Sequence, residues 1–107
     1  MRQITAIIQP QRLARVRDVA RRLRFPGMTI DKVEGFSTPD GASATSIKTE
    51  LTEYSPKVRL VVVAPDERAA EIAEAIRSSY HTGERGDGLV WIMPIESVMR
   101  IRDDRTP

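Results

Sequence analysis

The chain has 107 residues, 40% of them hydrophobic and 30% charged, with a formal net charge of +2, proportions that fit one compact domain built on one small core. It contains no cysteine and a single histidine, His81, which excludes disulfides, thiolate metal sites and an imidazole-rich metal set within one subunit. No apolar run approaches the length of a membrane span and no secretory signal opens the chain, so a cytosolic protein is expected.

Residues 2–9 are short and β-branched and are closed by Pro10, which predicts a first strand. Leu13, Val16, Ala20 and Leu23 then recur at spacings of three and four, predicting an amphipathic helix between Gln11 and Arg24 that Phe25-Pro26-Gly27 stops. Seven arginines (Arg2, Arg12, Arg15, Arg17, Arg21, Arg22 and Arg24) stand against Asp18 in the first 24 residues, and the remainder of the chain is net acidic. With few aromatics beside them, these arginines read as a solvated or subunit-contacting helix face, and no nucleic-acid partner is expected.

Met28 to Phe36 predicts a second strand, in which Met28, Ile30 and Val33 alternate with one irregularity. Ser37 to Ser55 is rich in Ser, Thr, Ala, Pro and Gly and reads as a long exposed loop or β-arm, a length that in a compact domain belongs to a functional or disordered segment. Residues 57–64 form the most apolar strand, whose near-continuous character predicts burial on both faces in mid-sheet. Pro65-Asp66-Glu67 opens a second helix, with Asp66 as N-cap and Ala69, Ile72, Ala73 and Ile76 as its buried stripe. That helix runs out near Ser79. Residues 89–95 predict a fourth strand ended by Pro94, and residues 98–102 a short final one.

Between the second helix and the fourth strand, Thr82-Gly83-Glu84-Arg85-Gly86-Asp87-Gly88 places three glycines in seven residues. Such a stretch is either a tight connection or an anion-binding nest of backbone amides, and it fits neither the P-loop nor the dinucleotide glycine pattern. The order β-α-β-β-α-β predicts an α+β, ferredoxin-like domain with both helices on one face of an antiparallel sheet. The other face needs cover, which oligomerisation can supply. No acid-base pair, activated nucleophile or metal set stands out, so the chain does not read as an enzyme.

Four segments together resemble the P-II nitrogen-signalling family. They are Ile4 to Pro10; Gly27 to Ile30 with Val33-Glu34-Gly35-Phe36; Pro56 to Leu60, similar to the far end of the family's T-loop; and Thr82 to Gly88 with Arg100-Ile101-Arg102, similar to its T-G-x-x-G-D-G and R-x-R motifs. The resemblance implies one domain over residues 1–107 with a T-loop at 37–55, a homotrimer, and an adenine nucleotide in each cleft between subunits. A regulated enzyme or transporter would read the state of the T-loop. On the family's pattern Thr29 and backbone near Val63 meet the adenine, Gly35, Phe36 and Ser37 lie along the nucleotide, and Lys57, Arg100, Arg102 and the Gly86-Asp87-Gly88 turn hold phosphate. Arg100 and Arg102 are two apart, so on a strand they share a face.

The departures from the pattern shape the expectation. Leu89 stands where the family has a phosphate-binding lysine, a loss of about 1.5 to 3 kcal/mol in charge-assisted contact, which favours AMP or ADP over ATP. Pro39 and Val61 stand where a glutamine and a glutamate serve magnesium and 2-oxoglutarate, which weakens the case for both ligands. The alternative is a trimeric interaction module or a sensor of a small anion such as bicarbonate. Tyr54 falls near the loop's base, and Glu50 lies where many members carry a modified tyrosine. Trp91, Met93 and Met99 are expected in the core or at a subunit interface.

Overall fold

The computed structural model describes residues 1–36, 54–79 and 88–103, apart from the side chains of Phe36 and Tyr54. Most of the expected loop, the glycine-rich turn as far as Asp87, His81 and the end of the tail lie outside the described residues. The described chain runs β1 (Arg2–Ile8), a 3-10 turn (Pro10–Arg12), α1 (Leu13–Arg22), β2 (Thr29–Phe36), β3 (Tyr54–Ala64), α2 (Asp66–Ser78) and β4 (Leu89–Pro94). The four strands form one antiparallel sheet in the order β2-β3-β1-β4. Each helix thus connects two strands that leave room for a third between them, the α+β, ferredoxin-like arrangement.

Strand alternation puts even-numbered residues toward the helices. Ile4, Ala6 and Ile8 of β1 and Val58, Leu60, Val62 and Ala64 of β3 form one buried cluster with Val16 of α1 and Ala69, Ile72 and Ile76 of α2. Met28 and Ile30 pack against it from the β2 side and Val90 from β4. Val33 has the opposite parity, which accounts for the irregular alternation along the second strand.

The helices end where side chains meet their free backbone groups. α1 stops at Arg24, which adopts φ 53°, while the Phe25 N–H donates to the Ala20 carbonyl at 3.0 Å, a Schellman-type closure. Arg68 of α2 then donates to the Leu23 and Arg24 carbonyls at 2.7 and 3.0 Å, tying the end of one helix to the start of the other. At the end of α2 the Ser79 hydroxyl donates to the Ile76 carbonyl at 2.7 Å.

Four expectations need correction. Asp66 is not an N-cap: Pro65 holds that place without a capping side chain, and the Asp66 carboxylate instead accepts the Met1 amine at 2.8 Å. In α1 the deeply packed residues are Val16 and Val19, while Leu23, one turn further on, borders an open groove between the helices and is partly exposed. β3 is central but buried on one face only, since Lys57, Val61 and Val63 are half-buried and Arg59 is exposed. Residues 98–102 form no strand, because they pair with neither edge of the sheet, β2 or β4; Ile101 is fully exposed. Of the two places expected for Trp91, Met93 and Met99, the core of the chain is not the one they take, since all three are exposed, Met99 at 84%.

Candidate functional site

Odd-numbered residues carry the face of the sheet away from the helices. Cross-strand register aligns them in rows: Thr29, Val61, Thr5 and Trp91 in one, and Asp31, Arg59, Ile7 and Leu89 in the next. Val63 lies opposite Gln3, and Lys57 opposite Val33. The face has two characters. Its β1–β4 half presents Ile7, Leu89, Trp91 and Met93, with Leu89 69%, Trp91 40% and Met93 42% exposed. Its β2–β3 half presents Asp31, Lys57 and Arg59.

Among the residues expected at a ligand site, Gly35 and Lys57 are in direct contact. A Cβ built on Gly35 would come within 2.8 Å of the Lys57 Cγ, so the lysine's aliphatic stem crosses the strand where the glycine leaves room. Lys57 thereby keeps its ammonium at the end of the sheet from which residues 37–53 depart. Thr29 is exposed and Val63 half-buried, both on the same face. Phe36 closes β2 opposite Tyr54 by backbone register. Ser37, Gly86 and Asp87 lie outside the described residues.

Gly88 has a structural reason to be glycine. Its φ is +107°, and a Cβ there would sit 1.9 Å from the Ile7 carbonyl oxygen. The end of the glycine-rich stretch is therefore pressed on the end of β1, in the row that holds Arg59 and Leu89. Leu89 itself is the first residue of β4, paired with Ile7. Its apolar side chain is thus exposed on the open face.

Arg100 and Arg102 follow β4 in non-strand backbone, so strand alternation does not set their side chains on one face. They instead share a carboxylate: Asp103 lies 3.9 Å from the Arg100 Nη1 and 3.5 Å from the Arg102 Nε. An anionic ligand on these guanidiniums would compete with that internal partner.

One charged pair on the sheet face was not apparent from the sequence. Arg59 donates from Nε and Nη2 to the two Asp31 carboxylate oxygens at 3.1 and 2.8 Å. This fork raises the guanidinium's pKa further above its ordinary value through the hydrogen bond and the adjacent negative charge. Both positions are odd-numbered and on neighbouring strands, yet only the register brings residues 28 apart in the chain into line. Among the described residues there is no cluster of three or more His, Cys, Asp or Glu that could hold a metal ion.

The family model described as Nitrogen regulatory protein P-II matches residues 1–105. The chain is 35% identical over 107 residues to the nitrogen regulatory protein P-II of Rhizobium meliloti, covering 99% of this chain and 96% of the relative. It is 37% identical over 103 residues to the P-II protein of Haemophilus influenzae, covering 95% and 92%. To the nitrogen regulatory protein GlnK2 of Haloferax mediterranei it is 32% identical over 104 residues, covering 96% and 85%.

Proposed function

The chain belongs to the nitrogen regulatory P-II family, whose members are regulatory signal transducers rather than enzymes, and from that premise we propose that it senses adenine nucleotides. The proposed unit is a homotrimer of single-domain subunits, residues 1–107, located in the cytoplasm. AMP or ADP binds in each cleft between subunits in preference to ATP, and the state is passed to a metabolic enzyme or a membrane transporter by the T-loop, residues 37–55. Family members typically form trimers and act on partner proteins, which supports the first and last parts of this reading.

The observation that carries the proposal is the joint placement of Thr29, Gly35, Lys57 and Val63 on one open sheet face, with Gly88 docked on Ile7 at its border. In the proposed site Thr29 and backbone near Val63 meet the base. Gly35, Phe36 and Ser37 line the nucleotide, and Lys57, the Gly86-Asp87-Gly88 amides, Arg100 and Arg102 hold phosphate. The preference against a triphosphate rests on Leu89, which supplies contact area but no charge. Pro39 and Val61 make 2-oxoglutarate and magnesium weak ligands in this reading.

Titration calorimetry with AMP, ADP and ATP, with and without magnesium and 2-oxoglutarate, tests it. Submicromolar to micromolar binding of ADP or AMP is expected, weaker binding of ATP, and loss of both in the protein carrying Arg100→Ala with Arg102→Ala while the trimer persists. Absence of adenine-nucleotide binding below millimolar concentration would sink the reading. A second reading, a trimeric interaction module or small-anion sensor, is motivated by Pro39 and Leu89, which depart from the family's ligand chemistry while the fold is kept. Bicarbonate changing the stability or partner binding of the nucleotide-free protein would select it.

A further inference from the structure

The helix layer carries a charged surface that nucleotide binding does not use. α1 and its end present Arg12, Arg15, Arg17, Arg22 and Arg24, and among the described residues none of these has a carboxylate within ion-pair distance. Arg21 alone on this helix reaches one, Asp18, at 3.8 Å. α2 is different, since its Arg68 lies 3.6 Å from Glu71 and its Arg77 3.1 Å from Glu74. Arg15 and Arg22 are seven residues apart and so lie on one flank of the helix, whereas Arg17 and Arg21 lie on the other. Arg22 also borders a groove of about 520 Å³ between the two helices, lined by Val19, Leu23 and Ala75 and by Ser78 and Ser79. Leu23 is 39% exposed there.

Unpaired guanidiniums beside an apolar groove select among anionic partners. A bilayer surface needs apolar side chains to insert, and the apolar stripe of α1, Val16 and Val19, is already packed in the protein, which leaves only weak adsorption. Single-stranded RNA needs aromatic platforms for its bases, and α1 has none, the nearby Phe25 being packed against the core. An acidic polypeptide uses both features at once, with carboxylates on the guanidinium forks and one apolar side chain in the groove. We infer that the α1–α2 groove and its Arg15–Arg22 flank form a docking surface for a partner protein's acidic segment that carries an apolar anchor between its carboxylates. This surface lies across the sheet from the proposed nucleotide cleft, and its test does not depend on nucleotide binding.

Fluorescence anisotropy with a labelled synthetic peptide of glutamates interrupted by two leucines tests the inference. A serine-for-leucine peptide of equal charge, a labelled oligouridylate, and co-sedimentation with phosphatidylglycerol vesicles are the comparisons. The leucine peptide should bind at least about tenfold more tightly than the serine peptide, and Leu23→Ser should erase that preference. Arg15→Glu with Arg22→Glu should weaken binding about tenfold or more, and Arg17→Glu with Arg21→Glu far less. Circular dichroism checks that each variant folds, and Arg15→Gln with Arg22→Gln replaces the charge reversal if it does not. Equal binding of the two peptides, equal effects of the two arginine pairs, no peptide binding, or tighter binding of RNA or vesicles would each overturn the inference.

Discussion

At Gly88 two constraints coincide, a φ of +107° and an Ile7 carbonyl oxygen 1.9 Å from where a Cβ would stand. The first is costly for any L side chain, and the second cannot be relieved by a rotamer change because the obstacle is backbone. Gly88→Ala should therefore destabilise the fold by about 2 to 4 kcal/mol in urea denaturation. Gly27→Ala, where no atom lies within 4 Å, should stay within about 0.5 kcal/mol. Equal effects would remove the close approach of this segment to β1. Gly35 is an intermediate case, because the atoms a Cβ would meet belong to the flexible Lys57 stem. The expected cost of Gly35→Ala falls on the lysine's position, and hence on the proposed phosphate contact, more than on folding.

Among the elements, α2 is anchored at its start by charge. The Met1 amine donates to Asp66 at 2.8 Å and the Arg2 Nε stands 3.7 Å away, while Ile95 N–H donates to the Met1 carbonyl at 3.2 Å. The hydrogen bond from the amine, opposed by partial burial and helped by the charges of the amine and Arg2, holds the Asp66 carboxyl below its ordinary pKa. A carboxylate with a depressed folded-state pKa adds stability above its unfolded pKa, and that contribution is lost as pH falls through the folded value. The stability difference between the protein and its Asp66→Asn variant should thus be steady near neutral pH and shrink as the pH falls below the ordinary aspartate value of about 3.9. Thermal melts across that range check it; a difference that persists at low pH would assign the effect to something other than the charge. The other acidic residue of the first turn, Glu67, favours the same helix end through the dipole.

For the whole molecule, the consequential feature is a sheet with helices on one side. Leu89, Trp91 and Met93 are exposed on the uncovered face next to the half-buried Val61 and Val63, while the Asp31–Arg59 pair lies on its other half. An apolar patch of this kind marks an association surface, in keeping with the proposed trimer. Trp91→Glu should convert a trimer into monomers in sedimentation velocity, because three carboxylates would be buried without partners. A wild-type protein that sediments as a monomer, or a variant that remains trimeric, would separate this face from assembly.

Much of this was legible in the chain itself, because helix and strand periodicities are local. The spacing of Ala69, Ile72 and Ile76 identified the buried stripe of α2, and the order of elements gave the α+β topology. The glycine-rich stretch with Arg100-Ile101-Arg102 was one of the four segments that together carried the family resemblance. Other features depended on residues far apart in sequence. The apolar run of β3 looked alike whether both faces or one were covered, since apolar side chains suit a core and an association surface equally. Only the sheet order and the helix packing showed that Val61 and Val63 face away from the helices. Residues 98–102 have strand-like composition, but a strand exists only where another backbone completes its ladder, and these residues pair with neither sheet edge. The alignment of Asp31 with Arg59 and the contact of Gly88 with Ile7 likewise follow from pairing register. Local periodicity determined which residues could share a face, and long-range pairing decided which of them meet.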